Sequence, residues 1–261
     1  MKKSLDEGIQ KPQFEYACPY CGNVFYSYGQ NGAICTFCNL LVDKGESEIA
    51  GDPLFDELKK ANASISQLKE YDLSSLESMV SAKGDPAHTY GLAILYLKMS
   101  DIKYTKKNYA LGGFMEDNAK NEEEAHALYS KAKLLLYDAL AACEKNVASS
   151  QPLDYIAFLA EIALHEFGKA HKHLEALEGT NSIAAQFAKM LYAIEIGDKK
   201  AHAYAEALIK SGEVAGYFEL GRLYAKTGKL NKAIDILSFL EKNTISMPHS
   251  SILLKKIKTF E

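Results

Sequence analysis

Cys18-Pro19-Tyr20-Cys21-Gly22 and Cys35-Thr36-Phe37-Cys38-Asn39 place two C-x-x-C pairs thirteen residues apart, near the start of a chain with five cysteines in all. A C-x-x-C turn lets two sulfurs of one short segment reach the same ion, and four soft thiolates are what a tetrahedral zinc takes. Four thiolates also close the coordination sphere, whereas a catalytic zinc keeps an open position and mixed ligands. The spacing therefore predicts one structural zinc held by Cys18, Cys21, Cys35 and Cys38. An iron centre of the rubredoxin kind is the alternative use of the same ligands. A redox dithiol would need a single C-x-x-C beside a βαβ pattern, which the sequence lacks.

The residues around the pairs must fold them together. Gly22 follows the first pair, where a sharp turn favours φ > 0, and Asn39, a residue tolerant of that conformation, follows the second. Val24-Phe25-Tyr26-Ser27-Tyr28 is rich in strand formers and runs into the turn cluster Gly29-Gln30-Asn31-Gly32. Ala33-Ile34 leads back to the second pair and Leu40-Leu41-Val42 runs out of it, which predicts a β-hairpin and a further strand. About 35 residues cannot bury enough apolar surface to fold alone, so metal binding supplies much of the stability. With its C-P-x-C-G knuckle and its ending Gly32, Cys35, Cys38, Leu40, Leu41, the segment resembles the zinc ribbons. It departs from their usual pattern at Asn39, where glycine is common. Ribbons serve nucleic-acid, polymerase and purely structural roles, so the resemblance implies a fold and not one function.

From Ala17 to Val42 no residue is charged. A ribbon that grips phosphates needs Lys or Arg. This one offers Tyr16, Tyr20, Phe25, Tyr26, Tyr28 and Phe37. They could form the ribbon's own core and its seam with the next helices, present a tyrosine-rich face to a partner protein, or stack on bases.

Beyond the ribbon the pattern is helical. Residues 1–12 read as a flexible N-terminus, 13–45 as the ribbon, 46–53 as a polar linker and 54–261 as a helical repeat domain with an insertion at 101–121. Asp52-Pro53 is a helix start, and Leu54, Phe55, Leu58, Ala61 and Ile65 keep helical spacing. A second helix is predicted over 73–83, ended by Gly84-Asp85-Pro86. Near Val214 a unit carries Tyr217, Leu220, Gly221, Tyr224, Gly228, Ala233 and Leu237. Thirty-two residues earlier, Tyr192, Ala201 and Ala205 echo Tyr224, Ala233 and Leu237. A further unit opens at Pro86 with Tyr90, Gly91 and Ile94 and closes on a helix from Glu122 to Asn146. Another helix pair spans 152–178. These spacings resemble tetratricopeptide or Sel1-like repeats, which implies a mostly α fold, an α-solenoid of helix-turn-helix pairs behind a small N-terminal β ribbon. In that family, first-helix residues line a concave peptide-binding face. On this chain they fall at Ala215, Phe218, Arg222, Ala225 and Lys226, and one unit earlier at Ile183, Gln186, Met190, Ala193 and Ile194. The earlier set is apolar and is expected to be covered by protein.

One basic stretch interleaves aromatics: Lys103, Tyr104, Lys106, Lys107 and Tyr109, within the insertion. It could touch RNA, and its bland reading is a solvated loop between two helices. His165-Glu166 followed by His171 has the wrong spacing for H-E-x-x-H, and no phosphate cradle or nucleophile elbow occurs. A net charge of −4 gives no general attraction to nucleic acid or anionic lipid. No apolar run is long enough to cross a membrane, and the first twenty residues lack the apolar core of a secretory signal. Cys143, the odd thiol, falls inside a helical pattern as a buried cysteine, and the cysteine usage suits the reducing cytoplasm. The expectation is a cytoplasmic, non-enzymatic adaptor. It binds another protein through its repeat surface or through the ribbon residues Tyr20, Phe25, Tyr26, Tyr28 and Phe37. A factor docking on RNA, ribosome or RNA polymerase is the alternative.

Overall fold

The structure, a computed structural model, describes residues 14–28, 32–43, 51–67, 69–109, 115–149, 151–180 and 182–242, with side chains left undescribed at 104–120 and 241–242. Residues 1–13, 29–31, 44–50 and 243–261 lie outside the described residues, and with them the expected flexible N-terminus and most of the expected linker.

Four short strands form the N-terminal β region. β1 (Phe14–Ala17) pairs antiparallel with β2 (Val24–Ser27), and β3 (Gly32–Ile34) pairs with β4 (Leu41–Asp43). This corrects the expected hairpin. The strands on either side of each C-x-x-C turn pair with each other, so each turn closes its own ladder, and β2 and β3 belong to different sheets. The first strand, with Glu15 amid apolar neighbours, carries too weak an alternation to be read alone.

The rest of the described chain is helical: α1 (Pro53–Ser66), α2 (Ser74–Lys83), α3 (Pro86–Tyr109), α4 (Met115–Glu144), α5 (Leu153–Ala163), α6 (Phe167–Glu178), α7 (Ile183–Ile196), α8 (Ala201–Lys210), α9 (Ala215–Lys226) and α10 (Leu230–Lys242). The start and stop signals act as expected. Asp52 caps α1, its carboxylate accepting the Leu54 N–H at 2.9 Å, with Pro53 in the first turn. Gly84 ends α2 in the left-handed conformation, φ 67°. Asp85 opens α3 by accepting the Ala87 N–H and binding His88 Nδ1 at 2.5 Å.

The insertion is not a loop over most of its length. Residues 101–109 continue α3, and α4 begins at Met115, so the two helices run on past the predicted turn. No glycine or proline stands between Gly91 and Gly112 to stop α3. Pairing along α3 and α4, with the Ser100 hydroxyl donating to the Ala125 carbonyl at 2.8 Å, carries the extension.

The chain divides into two compact units, one holding Met1–Cys18, Val24–Glu48 and Leu174–Glu261, the other Pro19–Asn23 and Ile49–His173. In the second, α3 is the central helix and packs on α1, α2, α4 and α5. In the first, α9 packs on α7, α8 and α10. Close approach sits where small residues allow it. A Cβ on Gly221 would meet the Leu237 side chain at 3.1 Å, so this glycine brings α9 against α10.

Candidate metal centre

Each C-x-x-C turn is shaped by its own backbone. Gly22 (φ 72°) and Asn39 (φ 66°) take the left-handed conformation at matching places after the two pairs. In the second turn the Cys35 N–H donates to the Leu40 carbonyl at 2.8 Å and the Asn39 N–H to the Cys35 carbonyl at 2.9 Å. The Phe37 N–H points at Cys35 Sγ, 3.4 Å away. That donor favours a thiolate over a thiol.

These turns bring four sulfurs together. One ligand atom from each of Cys18, Cys21, Cys35 and Cys38 lies within 4.8 Å of all the others. The Sγ atoms of Cys18 and Cys38 are 3.7 Å apart. Sulfurs held at about 2.3 Å from one tetrahedral zinc stand about 3.8 Å from each other, so the donor set and its spacing fit such an ion. All four cysteines are at most 1 % exposed and unbridged, and no other group of three or more ligating side chains converges among the described residues.

The first knuckle is seated on helices. A Cβ on Gly22 would fall 2.2 Å from the Leu58 carbonyl carbon, so the turn lies against the α1 backbone. Gly91 faces Tyr20 equally closely, its missing Cβ 2.1 Å from the Tyr20 carbonyl oxygen. The Tyr20 ring meets His88 edge-on, with centroids 5.1 Å apart, and its hydroxyl accepts from Gln151 Nε2 at 3.3 Å. Tyr20 is thus a buried anchor between α3 and Gln151, just ahead of α5.

A second contact lies at the α8–α9 turn. Tyr28 packs on Gly212, whose absent Cβ would be 2.9 Å from the Tyr28 Cβ. Glu213, 2 % exposed, accepts the Ile34 backbone N–H as well as those of Ala215 and Val214. Burial pushes its carboxyl up to about 7, against the pull of those donors. Glu213→Ala strands three buried N–H groups and is expected to cost about 1–3 kcal/mol of unfolding free energy. Glu213→Gln keeps a carbonyl acceptor and should cost clearly less, as read by denaturant titration of both variants.

The other ribbon aromatics divide by burial. Tyr16 stacks on Phe25 with centroids 5.6 Å apart, and Phe25 and Phe37 are buried. Tyr26 is exposed and donates its hydroxyl to Glu15 Oε2 at 2.7 Å, and Tyr28 is half-buried. On the helices, Phe218 is half-buried. Arg222 is held by Glu195 at 2.6 Å and Glu219 at 2.7 Å, and Lys226 by the carbonyls of Ile194 and Glu195. Both cations thereby tie α9 to α7. Of the five positions one unit earlier, Met190, Ala193 and Ile194 are buried, Ile183 is half-buried and Gln186 is exposed, so the face is covered only in part.

Lys103 does not face a loop. It sits on α3, mostly buried, paired with Glu70 at 2.7 Å and with Glu124. Tyr104, Lys106, Lys107 and Tyr109 share its helix, and their side chains lie outside the described residues. No family model, curated protein or solved structure matches this chain.

Sequence reading alone did not reach Glu213, Gly212 or Gln151. Each matters through a residue distant in the chain, and none belongs to a motif.

Proposed function

We propose that this chain is a non-enzymatic adaptor of the cytoplasm, with one structural zinc in its ribbon and tetratricopeptide- or Sel1-like helix pairs that bind another protein. The observation carrying this reading is the four-cysteine cluster. Four thiolates fill a tetrahedral sphere and leave no position for a substrate, and the first knuckle is seated on helices. Zinc is the ion that this set of four soft donors favours at this spacing. Cysteines that form no disulfide among the described residues support a reducing compartment, and no helix among the described residues is long and apolar enough to cross a membrane.

A binding surface is offered by α8, α9 and α10. They border an open cavity of about 570 Å³ with Ile209, Tyr217, Leu220, Tyr224 and Ile236 in its walls and Lys210, Lys232, Glu206 and Asp235 alongside. Apolar and aromatic walls with charges of both signs suit a short peptide segment with one or two large apolar side chains. The cavity uses a different face of α9 from Phe218, Arg222 and Lys226. Nucleic acid is the weaker reading, because the ribbon from Ala17 to Val42 has no cation and Lys103 is already paired.

The test is a tagged pull-down from native lysate with full-length chain and with Ile209→Glu, each with and without nuclease. One protein should be retained through nuclease and reduced at least about tenfold by Ile209→Glu, with zinc content and far-UV circular dichroism unchanged. Capture that disappears with nuclease and ignores Ile209→Glu would support the RNA-associated reading instead.

A further inference from the structure

Within the second unit, α4, α5 and the first half of α6 enclose a cavity of about 370 Å³, remote in role from the metal ligands. Its walls hold three carboxylates, Glu144, Asp154 and Glu161. The one lysine there, Lys169, is already engaged by Glu166 at 2.7 Å. His173 shares a hydrogen bond with Asp154 through Nδ1 at 2.8 Å and turns Nε2 toward Glu161, 3.8 Å away. Glu161 is only 5 % exposed, and its Oε2 accepts no hydrogen bond from the protein. A buried carboxylate oxygen with no donor is costly, so this one calls for a proton or for a donor brought from outside. Burial is the main influence raising its pKa, with Glu166 and Glu144 adding to it and His173 and Lys169 opposing.

The chemistry of the cavity narrows what could enter. An anion would meet three carboxylates. A chelated metal needs converging ligands, and among the described residues only the ribbon cysteines bring three or more together. Covalent chemistry at Cys143 is disfavoured, because burial, with Asp154, Asp85 and Glu144 near, pushes its thiol up to about 11. A primary ammonium remains. It carries three donors, accepts loose geometry, and gains from a buried carboxylate oxygen that has no donor. The Tyr137 ring in the wall adds a face on which a cation or its alkyl chain can rest.

We propose that the α4–α5–α6 cavity binds the primary ammonium group of an amine, held by Glu161 with Asp154 at the rim. The group could come from a free polyamine or from a lysine side chain of a peptide. The experiment is calorimetric titration of the full, zinc-loaded chain with spermidine, with the tripeptide acetyl-Ala-Lys-Ala-amide, and with the same tripeptide carrying norleucine for lysine. Saturable one-to-one binding of one or both amines is expected, with none for the norleucine peptide. Tighter binding of spermidine assigns a free amine, and tighter binding of the lysine peptide assigns a side chain. Glu161→Gln, which replaces the carboxylate by a neutral group of the same shape, should weaken binding at least about tenfold. Asp154→Asn, at a side chain 53 % exposed and therefore tolerant, should weaken it several-fold. No binding at millimolar amine would overturn the proposal, as would binding that both substitutions leave unchanged, the signature of general attraction to an acidic surface.

Discussion

Cys18→Ser is expected to abolish tight zinc binding and to lower the unfolding temperature of the helical chain by about 10 °C. The reasoning starts from the ribbon. Its two ladders have four and three residue pairs, far too few to fold unaided, so the free energy of metal binding, roughly 10–16 kcal/mol in small zinc domains, is what folds it. Without the metal the first knuckle cannot stay seated. Tyr20 then leaves its place against His88, Gln151 and the Gly91 backbone, and the surfaces of α1 and α3 beneath it are wetted. Re-exposing one large aromatic and the apolar surface it covers costs about 3–4 kcal/mol. In a domain of this size each kcal/mol is worth roughly 2–4 °C. Scanning calorimetry with far-UV circular dichroism checks this. If the helical signal melts at an unchanged temperature while zinc is lost, the knuckle's seat carries no energy.

Gly91→Ala is expected to destabilise by about 3 kcal/mol, although alanine inside a helix normally stabilises by about 0.5–1 kcal/mol relative to glycine. The new methyl would lie 2.1 Å from the carbonyl oxygen of Tyr20 and 2.7 Å from its carbonyl carbon. Backbone cannot rotate away as a side-chain tip can, so either the knuckle lifts or α3 bends. Gly168→Ala in α6 supplies the contrast, because a Cβ there meets nothing within 4 Å, and it is expected to be neutral or mildly stabilising. The pair separates propensity from contact. The Gly91→Ala penalty should also shrink in the Cys18→Ser background, where the knuckle is already displaced, and a double-mutant cycle by denaturant unfolding reads that coupling. An undiminished penalty would place the cost inside α3 itself.

Much of the architecture was legible because its signals are local. Asp52-Pro53 and Gly84-Asp85-Pro86 act within four residues of themselves, and Gly22 and Asn39 take the left-handed conformation that a turn after C-x-x-C requires. The convergence of the four cysteines was legible for the same reason, since thiolate chemistry restricts the spacing. What escaped depends on partners far along the chain. The extension of α3 past residue 101 rests on its pairing with α4, and a lysine-rich run looks equally solvated on a loop or on a helix. Only the arrival of Glu70 and Glu124 turns Lys103 from a free cation into a bound one. Glu213 shows the same limit, since its meaning comes from the Ile34 N–H, which no short-range pattern connects to it.

The near-complete burial of all four cysteine sulfurs has a kinetic side. A chelator or an oxidant must touch sulfur or metal, and neither is open to a molecule larger than water while the knuckles are closed. Exchange then waits for a local opening of the ribbon. The rate of zinc loss should level off as chelator concentration rises, at a ceiling set by how often the fold breathes and not by the strength of the competitor. The ion would be retained by a shut door as much as by its affinity, and a cell could change its lifetime in the protein by anything that steadies or loosens Tyr20 in its seat.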